Sequence, residues 1–424
     1  MMLRMMKSIV VSLVAICLAF PVFANSEQDF LKARTEYLCS WMALSSYQDK
    51  LGDLARDELA QRGWTIVQQV NKTADAEAKF NVATKTDEDN GQTTTLVSVA
   101  GTSSLADVKS DIRLRTVPFH EQGSDDMKVH GGFNTYANTL LDSPYDKGTV
   151  RSMLQRTAVN NQQPVIFTGH SLGGAVAALL GARLVDDRGQ HVHVVTFGAP
   201  AVGNQAFDEA YSNAMHLDRV VIAGDPVKNI LQDISGSYKQ FGNETKWHED
   251  ESLDHFQHKM IVYTDAALRN YYDAKERYEN ELGRELIERT GAIRTVNLFV
   301  VPPEFDLDED IAGDQRYMEL ASNDYLHDYW HGLVFSRQDT RSLNEVCAQA
   351  KKAGCQYILV RRFIGRKIKD ARYTFRMNLQ EEIYDTQGRI ISAQQYTTHT
   401  EAMTPIEATL YLTSLGQKKR VLVQ

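Results

Sequence analysis

The sequence predicts an α/β protein with a mostly parallel central sheet and a smaller α/β unit at its C-terminal end. Three observations carry this. Apolar strands alternate with helical patterns through the first two thirds of the chain. One of those transitions, from Val165 to Leu180, is a strand that turns directly into a small-residue helix. The strand–helix alternation then restarts after a long charged helix that ends near Thr290-Gly291.

The elements follow in order. Residues 1–24 read as a signal peptide: Arg4 and Lys7 precede an apolar run from Ile9 to Phe20, and Val22-Phe23-Ala24 permits cleavage after Ala24. The run is short for a membrane span, so an exported protein, periplasmic or extracellular, is expected. Phe30, Tyr37, Leu38, Trp41 and Met42 fall at helical spacing. WTIVQQV, KFNVATKT and TTTLVSVAGT read as strands. TVRSMLQRTAV reads as a helix, PVIFTG as a strand and GGAVAALLGARLV as a helix. HVHVVTFGAP and DRVVIAGDPV are further strands. Residues 25–265 form the first expected domain and 266–290 a connecting helix, whose apolar side carries Leu268, Tyr271, Tyr272, Tyr278, Leu282 and Leu286. Residues 291–424 form the second expected domain. Its patterning reads as strand, helix, strand, a hairpin turning at Asp385–Gly388, and helix. It is patterned to bury its own core, so a chain ending near Thr290 is expected to fold alone.

The formal net charge of −9 on 424 residues argues against nucleic-acid binding, which needs a basic surface. Beyond residue 24 only Cys39, Cys347 and Cys355 occur. That is no disulfide framework, and whether Cys347 and Cys355 bridge or stay as buried thiols is open.

Ser171 sits in the strand-to-helix turn, with Gly169 and Gly173 two residues to either side. A serine exposed on so sharp a turn needs small neighbours at both places. The turn also sets the Leu172 N–H at a helix N-terminus, where it can stabilise an oxyanion. A serine nucleophile needs a histidine base held by a carboxylate, here expected in the order Ser, acid, His. Asp225 follows the apolar strand that ends at Ile222. The segment HEDESLDHFQHKMIVY offers His248, His255 and His258; His258 is favoured because it precedes an apolar run, with His255 next. A zinc site on His255 and His258 would need a third ligand that the sequence does not identify. Thr102, at the end of the TTTLVSVAGT strand, is the expected second oxyanion donor, with VHGGF (His130 to Phe133) as the competitor.

Four blocks, AGTSSLADVKSD, VHGGF, GHSLGGA and TFGAPAVGN with RVVIAGDPV, resemble those of the class 3 (fungal-lipase-like) lipases, a branch of the α/β-hydrolase superfamily. The resemblance covers about Glu27 to Asp265. It implies an α/β-hydrolase fold and a serine esterase acting on lipid esters, of triacylglycerol lipase or phospholipase A1 type, with no metal or organic cofactor. It implies Ser171 as nucleophile, Asp225 as acid, His258 as base, Thr102 at the oxyanion position and a lid between Ser104 and about Lys128. A different class stays open: a catalytically inactive hydrolase fold that binds the cell envelope, with the C-terminal domain making the contact.

Overall fold

The computed structural model describes residues 26–87, 89–101, 115–120, 126–159, 163–188, 192–227, 229–231, 237–247, 258–286, 294–336, 342–369 and 373–419. The expected signal peptide, Thr102, His248 and His255 lie outside them.

Helices α1 (residues 26–45) and α2 (Lys50–Gln61) open the chain. Asp49 caps α2 by accepting from the Gly52 N–H at 2.8 Å. Strands β1 (Thr65–Lys72), β2 (Glu77–Thr86) and β3 (Thr93–Val99) form an antiparallel meander. Helices α3 (Gly131–Leu141) and α4 (Val150–Val159) follow. The chain then alternates: β4 (Val165–His170), α5 (Leu172–Arg188), β5 (His193–Phe197), α6 (Gln205–Tyr211), β6 (His216–Ile222) and β7 (Asn243–Trp247). All seven strands form one sheet in sequential order, and every pairing from β3 to β7 is parallel. Strands buried on both faces explain the near-continuous apolar runs at Val165–Phe167 and Val220–Ile222. Helix α7 (Met260–Leu282) ends at Gly283, whose φ of 64° is the left-handed C-terminal conformation glycine favours.

A second sheet carries β8 (Arg294–Val300), β9 (Glu304–Asp306), β10 (Trp330–Phe335), β11 (Tyr357–Lys367), β12 (Phe375–Asp385) and β13 (Ile390–His399). Its order is β10-β8-β11-β12-β13, with β9 also paired to β11. Helices α8 (Gln315–Tyr329), α9 (Leu343–Lys352) and α10 (Pro405–Lys419) cover it.

The packing changes the expected domain picture. Helix α7 begins at Met260, so a division between 265 and 266 would cut one continuous helix. Small clusters such as Val346, Cys347, Ala350 and Ile358 belong to the C-terminal unit alone. Its main apolar surface does not. One buried cluster joins Trp41 and Leu54 of α1 and α2, Tyr263 and Tyr271 of α7, Met318 and Tyr325 of α8, Phe363 and Met377 of the second sheet, and Ile406 and Leu410 of α10. Polar contacts follow the same seam. Arg62 bridges Glu58 (2.7 Å) and Asp328 (2.9 Å), and Thr404 donates to Asp265 at 2.7 Å. The patterned faces of 291–424 thus close on the N-terminal helices, which the local pattern does not reveal. Cys39, Cys347 and Cys355 are free, buried thiols.

Candidate active site

Strand β4 runs straight into α5 through Ser171, whose φ of 56° places a non-glycine residue in the left-handed region. Three contacts hold the turn there. The Ser171 N–H donates to the Phe197 carbonyl at 2.9 Å, and the Ser171 carbonyl accepts from Gly174 (3.0 Å) and Ala175 (3.2 Å). The flanking glycines are steric necessities. A Cβ on Gly169 would sit 2.4 Å from the Gly173 carbonyl carbon, and one on Gly173 would sit 2.2 Å from the Val99 oxygen. Close approach of α5 to the end of β3 therefore requires glycine at 173.

The end of β3 abuts this turn: a Cβ on Gly101 would lie 3.3 Å from the Ser171 Cβ. Thr102, the next residue, falls outside the described residues. In the competing VHGGF block, two backbone amides are already committed. His130 N–H donates to Val202 O at 2.9 Å and Gly131 N–H to Arg115 O at 2.8 Å. The His130 ring caps α3, its Nδ1 accepting from Phe133 N–H at 3.2 Å. Within the expected lid, Thr116–Pro118 pairs with Lys128–His130. Phe119, 1% exposed, packs on Phe207 and Tyr211. Residues 104–114 and 121–125 of that stretch lie outside the described residues.

The structure brings Ser171, His258 and Asp225 together, though they are far apart in sequence. His258 Nε2 is 2.7 Å from Ser171 Oγ. Its Nδ1 is 2.8 Å from Asp225 Oδ2 and 3.0 Å from Oδ1. An ionised carboxylate only accepts, so Nδ1 carries the proton and the Nε2 lone pair faces the serine hydroxyl. Both ring nitrogens of His258 are thus engaged, which leaves none for the zinc arrangement with His255. His258 has φ 59°, a second non-glycine residue in the left-handed region, immediately before α7.

Asp225 is anchored beyond what the sequence suggested. Its Oδ1 accepts from Val227 N–H at 2.8 Å across Pro226, and Tyr263, on the first turn of α7, donates its hydroxyl to Oδ2. Burial pushes the Asp225 carboxyl up. The hydrogen bonds and charge of His258, then the Tyr263 and Val227 donors, outweigh this and hold it below the ordinary carboxylate value. His170 packs its ring 4.7 Å from that of His258 and takes a 2.7 Å hydrogen bond with Tyr47. Burial, and then the neighbouring His258, hold His170 well below the usual imidazole range, so it stays uncharged at neutral pH. Tyr47, His170 and Tyr263 were missed by sequence reasoning. For Tyr263 a signal existed: it lies five residues after His258 in an apolar helix start, where a hydroxyl needs a partner.

The site is closed. Ser171 has no exposed surface, and the His258 side chain is 4% exposed. Chemically it holds a hydroxyl, an imidazole positioned to take its proton, a carboxylate to steady the resulting imidazolium, and the helix N-terminal amide of Leu172.

Sheet order, the strand-to-helix elbow at Ser171, and Asp225 and His258 following it in that chain order define an α/β-hydrolase fold. Residues 96–233 match the family Lipase (class 3); that segment contains Ser171 and Asp225 and ends before His258. A rice (Oryza sativa subsp. indica) protein, Phospholipase A1-II 1, is 28% identical over 208 residues, 41% of this chain and 53% of its own length. A lipase of Caenorhabditis elegans is 47% identical over 119 residues, 26% of this chain and 33% of its own. The chain thus spans about half the length of the rice relative and a third of the nematode one. Among solved structures, the lipase of Rhizopus microsporus var. chinensis aligns at 20% identity and a TM-score of 0.42, over 51% of this chain and 74% of its own.

Proposed function

We propose that this chain is a serine esterase that hydrolyses carboxylic esters of lipids, triacylglycerols or phospholipids. One observation carries the reading: the continuous hydrogen-bonded series Ser171–His258–Asp225 on a strained strand-to-helix elbow. Ser171 Oγ attacks the ester carbonyl carbon while His258 Nε2 takes its proton. The oxyanion is held by Leu172 N–H and by Thr102, which follows Gly101 beside the elbow. Collapse expels the alcohol, which leaves with the proton from His258. Water, deprotonated by His258, then attacks the acyl-serine and frees the acid and Ser171. Asp225 keeps His258 in the right tautomer throughout. No metal or organic cofactor enters these steps. Similarity to a rice phospholipase A1 and a nematode lipase supports lipid esters as the class. Because Ser171 is buried, an ester reaches it only when covering residues move. The basic and apolar run of residues 4–24 supports export.

The test is a fluorophosphonate probe with wild type and Ser171→Ala, followed by hydrolysis of p-nitrophenyl esters of graded chain length, a phospholipid and a triglyceride. Labelling of wild type alone, with lipid hydrolysis, is expected. A wild type that neither labels nor hydrolyses any ester would favour the inactive, envelope-binding alternative.

A further inference from the structure

The opposite, N-terminal end of two central strands carries a second cluster of chemistry. His193 opens β5 and His216 opens β6, and the two are direct partners in the parallel register. Asp218, two residues further along β6, shares a face with His216. The imidazoles stack at 4.4 Å with 10° between their planes. Both point Nε2 at one oxygen, Asp218 Oδ2, at 2.9 Å from His193 and 3.3 Å from His216. All three donor atoms lie within 4.8 Å of one another.

We propose that His193, His216 and Asp218 bind a zinc ion. Four-coordinate zinc with bonds of about 2.0 Å holds its ligand atoms about 3.3 Å apart. The two spacings to Asp218 Oδ2, 2.9 and 3.3 Å, lie within a few tenths of an ångström of that. The donor set selects the metal: two imidazoles and one carboxylate suit zinc-type ions, whereas calcium and magnesium take oxygen. Exposure fits an open site, because His216 is 58% exposed at its side chain and Asp218 5%. Water completes the coordination on the exposed side. Asn243 Nδ2 donates to the other Asp218 oxygen at 3.4 Å, an outer contact that orients the carboxylate.

A second observation points the same way. Glu36 of α1, 1% exposed, is electrostatically coupled to Asp218, and its Oε1 makes no hydrogen bond. Lys32, 3.8 Å from Glu36, is the cation beside it. Asp218 and Glu36 repel one another as carboxylates, and a cation held at Asp218 offsets that repulsion. Strand β6 spans seven residues between His216 and Ile222, about 20 Å at ~3.3 Å per residue, and Asp225 lies beyond its far end. The zinc therefore braces two adjacent strands and takes no part in the serine chemistry. The inference does not rest on the proposed esterase reading.

The experiment uses the full chain, stripped with EDTA, and Zn²⁺ alone as ligand. Calorimetric titration of wild type should give one equivalent. His216→Ala, an exposed position that leaves the fold intact by its metal-free melting curve, should weaken binding by about a hundredfold or more, beyond what outer contacts cost. His258→Ala should bind as wild type does. Cobalt substituted for zinc should give visible ligand-field absorption in wild type and none in His216→Ala. Absence of a zinc equivalent in wild type, wild-type affinity in His216→Ala, or loss of binding in His258→Ala would each overturn the assignment.

Discussion

Tyr263→Phe removes one oxygen from the candidate active site and nothing else. In the native protein Asp225 Oδ2 receives two donors, His258 Nδ1 at 2.8 Å and the Tyr263 hydroxyl. Tyr263 is 1% exposed, so water does not replace the lost donor. A hydrogen bond to a charged group contributes about 1.5–3 kcal/mol. Its loss therefore raises the Asp225 pKa. The native carboxyl is held below the ordinary carboxylate value, so loss of one of its donors leaves it ionised at neutrality. Activity at pH 7–8 should therefore fall less than about tenfold, whereas Asp225→Asn, which removes the charge and the tautomer control, should lose on the order of 10⁴. Stability should show the linkage. A depressed carboxyl stabilises the fold above its unfolded pKa and ceases to do so as pH falls through the folded value. The variant should thus be less stable than wild type at pH 7, and the gap should close in acid. The assays are kcat on a soluble p-nitrophenyl ester and urea unfolding at pH 7 and pH 3. A variant with wild-type stability at pH 7, or one as impaired as Asp225→Asn, would refute the role given to Tyr263.

Ser171→Ala and His258→Ala should each lower ester turnover by several orders of magnitude, and the double variant should be no worse than either, as steady-state kinetics will show. A chain ending at Thr290 should lose its cooperative melt and bind a hydrophobic dye, contrary to what the sequence pattern suggests. Removing α8 and α10 uncovers the apolar faces of α2 and α7 that share their buried cluster, and at about 1.5–3 kcal/mol per large apolar side chain a few such residues consume most of a typical 5–15 kcal/mol stability; a soluble, two-state truncated chain would contradict this. Glu407, fully buried with neither carboxyl oxygen hydrogen-bonded, is held well above 4.5 by burial and then by the charge of Asp265. The native state therefore keeps a proton that the unfolded chain releases, and stability drops as pH rises above about 4.5 toward the folded value. Glu407→Gln should flatten that decline in a series of melts from pH 5 to 9; parallel curves for the two proteins would show that Glu407 stays ionised.

Some of this protein is local physics, and that part was open to reading from residues alone. Gly169, Ser171 and Gly173 announce the elbow because the clash they avoid involves atoms of that turn and the strand end beside it. Apolar runs announce β4, β5 and β6 because strands covered on both faces have no polar side to interrupt them. Helix α8 and strand β7 escaped, the first because its buried face is split among tyrosines and small residues such as Tyr325, Ser322 and Ala321, the second because NETKW is half exposed at a sheet edge. Tertiary structure alone decided the rest. Tyr263 reaches Asp225 only because α7 starts just after His258 and sets its first turn beside the end of β6. Residues 291–424 surrender their apolar face to α1, α2 and α7 because an amphipathic pattern states that a face must be buried and says nothing of its partner. His193 and His216 meet because the parallel register sets two strand starts side by side, a coincidence of alignment that no spacing along the chain encodes.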